Sequence, residues 1–367
     1  MDPGGAEVRL TELVGRLPPG EFEVDVCALS GMPGALDDHI RECGGEVIPL
    51  RLDAGFSVRF LRLLRRRRYD VVHSHVMHAS GPMLALALLA GVRVRIAHLH
   101  GTSDGHRSTP ARRMQRAVKR VLIEWCATDI IACGEGAMRA VWRADWTSDP
   151  RCQVVYDALD PDRFSAPVDR NLVRRELGVP RGALVFLHIG NHLEPKNHPR
   201  LISIFAAIRR AEAEAWLVLV GAGTDEPHGP IAAAIAAHGL GDRVLALGRR
   251  SDVPRLLKTA DALLLPSLHE GLPGVVLEAC VSGVPVLASD LPGVREIASR
   301  LPGVEWLSLD APDTEWAAAA IALSRVAVRL ALRERALDAF RPTVFHVDAA
   351  VAAHRALWRR RVEASTA

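Results

Sequence analysis

Residues 264–297 read LLPSLHEGLPGVVLEACVSGVPVLASDLPGVREI, and the fold is decided there. Leu264 and Leu265 close an apolar run suited to a buried strand. Pro266 to Gly274 break it with two prolines and two glycines, and Val275 to Val281 follow with a helical pattern. In such a strand–loop–helix unit the amides of the loop and of the first helical turn lack partners inside the helix, and the helix dipole adds positive potential. The result is an anion site suited to a phosphate group. Glu270 and Glu278 bracket that site. At about 1.5 Å per helical residue they lie on the order of 10 Å apart along the chain. That span suits one carboxylate to a sugar and the other to a ribose on either side of a diphosphate, each accepting from vicinal hydroxyls.

The same grammar extends in both directions. Strand-like runs at Leu184–Ile189, Trp216–Val220, Arg243–Leu247, Ala262–Leu265, Val284–Ala288 and Val304–Leu307 alternate with helical patterns. So do earlier runs at Val24–Leu29, Val47–Leu50, Asp70–His73, Val94–His98 and Asp129–Cys133. Parallel strands joined by helical crossovers make a doubly wound α/β layer, and 367 residues predict about two of them. The stretch YDALDPDRFSAPVDR, residues 156–170, interrupts the periodicity as a linker does. The expected division is residues 1–166, residues 167–340, and a helix in 341–367 packing on either domain. Ligands of open α/β sheets bind at the carboxyl ends of the strands, so the chemistry is sought in strand-to-helix loops.

Composition narrows the function. The chain is 49% hydrophobic and 24% charged with net charge +3, which offers no broad field for nucleic acid. Six scattered cysteines with no Cys-x-x-Cys pair read as reduced thiols in a cytoplasmic protein, neither zinc framework nor disulfide scaffold. The opening MDPGGAEVRL has no signal-peptide pattern. The most apolar stretch, Pro82 to Val92, is too short to span a membrane and reads as a buried helix. Arg65 to Arg68 close a predicted helix, where cations complement the dipole.

The block Glu270-Gly271-Leu272-Pro273 with Glu278 eight positions after Glu270, the Gly283-Val284-Pro285-Val286 strand entry and the Ser289-Asp290-Leu291-Pro292-Gly293 loop resemble the retaining family-4 glycosyltransferases of GT-B fold. The resemblance implies two Rossmann-like domains facing a central cleft, with a C-terminal helix able to cross back to the first. It assigns Glu270 to the donor sugar, the Gly271 to Gly274 amides to sugar and phosphate, and Glu278 to the ribose. In GNHLEPKN, residues 190–197, Lys196 matches a lysine on the diphosphate, while Asn191 stands where the family carries an arginine. Gly190 and Gly221 belong to matching strand-end loops, and Arg249 lies in a segment that meets the nucleobase. In the first domain Gly4 and Gly5 match the loop that approaches the donor phosphate. His100 matches a histidine beside the reacting sugar, while His73, His75 and His98 are read as structural or acceptor-side.

The implied activity is transfer of a sugar from a nucleotide-diphosphate donor, a uridine diphosphate sugar first among them, to an acceptor hydroxyl. Lys196, Glu270 and His100 are its catalytic candidates. The resemblance implies neither metal nor other cofactor. A small acceptor such as an aminocyclitol of an antibiotic pathway is preferred, because no amphipathic docking helix stands out. A polysaccharide or lipid-linked glycan is the alternative, with peripheral membrane contact. Further alternatives are a non-catalytic partner subunit and a nucleotide-sugar 2-epimerase. A monomer or homodimer is expected. Relatives place a hydrophobic strand before the paired glycines, so the first sheet is expected to lack its usual first strand.

Overall fold

The structure, a computed structural model, describes residues 4–102 and 109–363, with side chains as far as residue 359. It comprises two compact units. One runs to Leu159 and resumes at Val344; the other spans Asp160–Thr343.

In chain order the first unit holds helix α1 (Gly5–Gly15), strand β1 (Val26–Ala28), α2 (Asp37–Glu42), β2 (Val47–Pro49), α3 (Phe56–Arg67), β3 (Val71–Ser74), α4 (Ser80–Leu89), β4 (Val94–Leu99), α5 (Pro110–Cys126), β5 (Asp129–Ala132), the single turn α6 (Glu135–Ala137) and β6 (Cys152–Val154). All strand pairs are parallel, as the crossovers require. They form two pieces, β1-β2 and β3-β4-β5-β6. Among the described residues no strand joins β1 to β3. Side chains tie the two pieces instead: Tyr69 donates to Asp25, and Arg67 pairs with Glu46. Strand β6 escaped the sequence reading because the polar Gln153 stands at its centre; β1, β2 and β9, equally short, are apolar or nearly so.

Strand alternation sets the two faces of the larger sheet. On β4, Val94 and Ile96 join Leu13, Ile131 and Val155 in one apolar core. His98 and His100 continue that face, and His73 and His75 do so on the neighbouring β3, in register with β4 from Val71↔Val94 to Ser74↔Ala97. The opposite face is covered by α3 and α4 through Phe56, Phe60, Leu64, Met83 and Ala87. Helix α4 is thus the buried helix expected from Pro82 to Val92, although Leu88 and Leu89 stay exposed. No helix among the described residues is long and apolar enough to cross a membrane.

The second unit continues with α7 (Arg170–Glu176), β7 (Val185–Ile189), α8 (His198–Ala211), β8 (Trp216–Val220), α9 (Pro230–Ala237), β9 (Val244–Ala246), α10 (Val253–Leu257), β10 (Ala262–Leu265), α11 (Gly274–Val281), β11 (Val286–Ser289), α12 (Pro292–Ala298), β12 (Val304–Leu307), α13 (Asp313–Leu323) and α14 (Val326–Phe340). Its strands form one parallel sheet in the order β12-β11-β10-β7-β8-β9. Strand order reverses between β7 and β10, which makes their carboxyl ends the switch point where such sheets bind ligands. Phe186, Phe205, Leu217, Leu264 and Trp316 fill one core of the unit, each worth roughly 1.5–3 kcal/mol when fully buried. The buried carboxylate of Asp261 is held by Arg174 (2.6 Å), Arg170 (2.5 Å), Arg329 and the Val185 amide (2.7 Å).

The boundary falls before Asp160, where the sequence pattern suggested Ala166. Pro161 and Phe164 are buried in a helical turn that packs on α10 and α11, so residues 160–166 belong to the second unit. After α14 the chain returns to the first unit with α15 (Val347–Glu363). Val347, Val351, Leu357 and Trp358 complete the core around Leu13 and Ile96, and Arg355 and Arg359 pair with Glu21.

Candidate active site

The loops after β7 and β10 carry the residues singled out by motif. The first makes a helical turn over Glu194–Lys196 and enters α8 through Asn197, held at φ 52°. The second runs into α11, with Pro273 before its first residue Gly274. The two loops are joined twice. The Leu268 amide donates to the Pro195 carbonyl at 2.8 Å, and Lys196 Nζ donates to Glu270 Oε1 at 2.6 Å. Their side chains are 22% and 13% exposed, so the pair is shielded without being sealed from solvent. Two residues 74 positions apart, assigned to leaving group and sugar by motif, therefore meet.

Neighbouring loops brace this pair. Gly190 donates to Val220, His192 to Ala222, and Gly221 to Gly248, each at 2.8 Å. Gly221 sits at φ +146°, and a Cβ there would lie 2.1 Å from the Gly190 carbonyl, so no side chain fits. The Asn191 carboxamide oxygen accepts from the Ala222 amide at 2.9 Å. The residue standing at the family's arginine position is thus a clamp between two loops. Gly271, Leu272 and Pro273 are buried, Gly274 and Glu278 half-buried. A Cβ on Gly293 would reach within 1.9 Å of the Gly271 carbonyl, so the first turn of α12 packs directly against the donor motif. Arg249 is exposed beside an Arg250–Asp252 pair. Behind the loops, burial pushes the His188 imidazole down to about 3 and, aided by nearby His192 and Lys196, His198 to about 4.

In the first unit Gly4 precedes α1 and Gly5 opens it, the Val8 amide donating to the Gly4 carbonyl at 3.0 Å. His100 stands at the end of β4 between two partners. Its Nε2 lies 2.8 Å from His75 Nδ1, and its Nδ1 lies 3.5 Å from Asp157 Oδ1, longer than a good hydrogen bond. Burial and neighbouring imidazoles hold His73, His75 and His98 well below the usual histidine range, so these rings are neutral. His354 was not among the residues singled out by motif, since it is distant in sequence and surrounded by ordinary residues, and Asp157 was met only as part of the interdomain segment 156–160, with no role at His100.

A second feature was also missed. On α5, Met114, Val118, Val121 and Trp125 are 68%, 53%, 54% and 81% exposed. At 3.6 residues per turn they fall within about 60° of one another. The helix carries four arginines and a lysine against one glutamate. Its inner side is anchored by Ile123 and Cys126. The spacing was visible, but apolar residues at helical intervals are read by default as a core face.

Residues 3–163 match the pattern of the family described as Glycosyltransferase Family 4, and residues 169–322 that described as Glycosyl transferases group 1. The chain is 30% identical over 300 residues to a putative glycosyltransferase EpsF of Bacillus subtilis, covering 79% of this chain and 77% of that one. The chain belongs to the family-4 GT-B glycosyltransferases. This glycosyltransferase is also 28% identical over 301 residues to the UDP-Gal:alpha-D-GlcNAc-diphosphoundecaprenol alpha-1,3-galactosyltransferase of Escherichia coli, covering 75% of this chain and 73% of that one. To the 2-deoxystreptamine glucosyltransferase of Streptomyces kanamyceticus it is 32% identical over 139 residues, 37% of this chain and 35% of that one. The crystal structure of Anabaena HepE in complex with UDP and glucose shares its fold, with a TM-score of 0.79 at 21% identity over 96% of this chain and 95% of that one.

Proposed function

We propose that this glycosyltransferase moves a sugar, with retention of anomeric configuration, from a nucleotide-diphosphate donor to a hydroxyl of a lipid-linked glycan at a membrane surface. A uridine diphosphate sugar is the donor to test first. The observation that carries the transfer reading is the Lys196–Glu270 pair beside the amino end of α11. A cation, a carboxylate and loop amides at one switch point suit a diphosphate and the hydroxyls of its sugar. Transfer breaks the bond between the anomeric carbon and the diphosphate oxygen. The acceptor oxygen bonds to that carbon on the same face, and its proton passes to the departing phosphate oxygen. Lys196 and the Gly271 to Gly274 amides stabilise the charge that develops on the diphosphate. Glu270 orients the sugar, Glu278 the ribose, and His100 acts beside the transferring sugar. No catalytic metal is assigned to this step.

The acceptor is inferred from α5. Its apolar stripe with basic neighbours has the composition of a helix lying in an anionic membrane interface, and this reverses the preference for a soluble acceptor. Binding to phosphatidylglycerol-containing vesicles at physiological salt tests it. Met114→Ser combined with Trp125→Ser is expected to weaken co-sedimentation by about tenfold or more. A wild-type chain that stays in the supernatant overturns the membrane assignment. The small-molecule reading, favoured by the 2-deoxystreptamine glucosyltransferase match, then takes its place. The transfer reading has its own assay: nucleotide release with donor, and the anomeric configuration of the product by nuclear magnetic resonance.

A further inference from the structure

Apart from His100, the histidine face of the first unit has no part in the proposed transfer reaction. Five imidazoles, His73, His75, His98, His100 and His354, stack with neighbouring ring centroids 3.9–6.0 Å apart. His98 and His354 are 3% and 4% exposed. The buried Nε2 of His354 meets no hydrogen-bond partner, and neither does that of His98, whose other ring nitrogen faces His73. Leaving such an atom unsatisfied costs on the order of 1–3 kcal/mol. An apolar core would have been served by leucine or valine at these alternating positions, as it is at Val71, Val94 and Ile96.

The ligand geometry of one trio is specific. His73 Nε2 and His98 Nδ1 lie 3.2 Å apart. His73, His98 and His354 each bring one ring nitrogen to within 4.8 Å of the others. His354 Nδ1 donates to the Ala350 carbonyl at 2.8 Å, which leaves Nε2 as the lone-pair nitrogen. This is the arrangement by which metal-bound histidines are held, the remote N–H fixed by a carbonyl or carboxylate. Trp358 stands edge-on to His73 and His354 and supplies an apolar wall. Three imidazoles whose ring nitrogens converge in this way suit zinc or a similar borderline divalent ion.

We propose that His73, His98 and His354 bind a zinc-class divalent ion that fastens the C-terminal helix α15 to the sheet of the first unit. The ion is structural. It lies outside the donor loops of the second unit and takes no part in the bond exchange proposed above. Strands β3 and β4 contribute one ligand each and α15 the third, so the ion closes a loop of more than 250 residues between His98 and His354.

The test uses the full chain without an affinity tag, expressed with zinc in the medium and passed through gel filtration without chelator. Elemental analysis is expected to find about one zinc per chain. Protein stripped by chelator is expected to lose thermal stability and to take up cobalt(II) with the visible absorption of a nitrogen-ligated site. His354→Gln and His73→Gln, each checked for native circular dichroism, are expected to lose the metal, while His100→Ala keeps it. A natively folded wild-type chain with less than about a tenth of an ion and no cobalt spectrum overturns the proposal. So does a chain whose metal survives in His354→Gln and disappears in His100→Ala, because the ion then sits on His75, His98 and His100. Neither readout depends on glycosyl transfer, so failure here is separable from failure of the proposed function.

Discussion

The donor loops of the second unit and the histidine face of the first both stand at the carboxyl ends of parallel strands, yet they solve opposite electrostatic problems. The loops hold opposed charges, Lys196 against Glu270, with enough solvent access that a ligand can compete for each partner. The histidine face holds rings that burial keeps neutral, with Asp157 against His100 as its carboxylate. In the proposed transfer, charge that meets a diphosphate has to be present before the ligand arrives, and the Glu270 carboxylate keeps Lys196 in place. The rings that burial keeps neutral add no net charge to their own face.

The largest effect is therefore expected where the charge is. Lys196→Ala should lower kcat by about 10²–10³-fold, the range seen when one stabilising donor is removed from a transition state. Nucleotide affinity should fall less, because the loop amides remain. Turnover with donor, set beside calorimetric affinity for the nucleoside diphosphate, checks this. Equal losses in both would mean that Lys196 binds donor and transition state alike, and the distinction between the two regions would weaken.

How much of this was legible follows the same division. The donor motif was read because its parts are close in sequence and each has a local cause: a strand, a proline- and glycine-broken loop, a helix start. Eleven strands were likewise recoverable from β-branched and apolar runs, with β6 lost to the polar Gln153 at its centre. The histidine face was only half visible. His73, His75, His98 and His100 alternate along two strands, but Asp157 and His354 join them through folding alone, the latter on a helix 256 residues after His98. Helix α5 shows a different limit. Periodicity reports which residues share a face, not whether that face meets protein or solvent. Asn191 shows a third: an unexpected residue in a motif suggested a lost charge, and only the fold reveals the hydrogen bond to the Ala222 amide.

The imidazoles behind the donor loops test whether neutrality is a general demand of burial. His198 is 1% exposed, neither ring nitrogen has a hydrogen-bond partner, and His188, His192 and Lys196 surround it. Its folded pKa of about 4 lies below the unfolded value of 6.5. Its contribution to stability is therefore fully present above pH 6.5 and is lost as the pH falls from there towards 4, because the unfolded chain binds the proton first. His198→Leu keeps the packing and removes the proton site. At pH 5 it should be more stable than the native chain by about 2 kcal/mol, with a difference of under about 1 kcal/mol at pH 7.5. Urea unfolding followed by tryptophan emission at the two pH values measures it; a gain that does not change with pH would show that the imidazole is not held neutral by the fold.

The smallest effect is expected at Asp157, and it separates orientation from charge most finely. With His100 Nδ1–H turned towards the carboxylate, Nε2 accepts from His75 Nδ1–H, the hydrogen bond that holds the ring. The 3.5 Å separation makes the Asp157 contact weak as a hydrogen bond, so its effect is mainly to select the tautomer. Asp157→Asn retains the shape and an oxygen acceptor but removes the charge that prefers the Nδ1–H form. We expect kcat to fall about tenfold, about 1.4 kcal/mol in the barrier, with the donor KM within about twofold because the donor-binding charges lie elsewhere. Asp157→Ala should lose the orientation altogether and fall further. If Asn and Ala were equally impaired, with KM raised alongside, Asp157 would be a packing residue and not a positioning one. The histidine face would then serve the fold and its proposed metal, with the chemistry left to the charged loops.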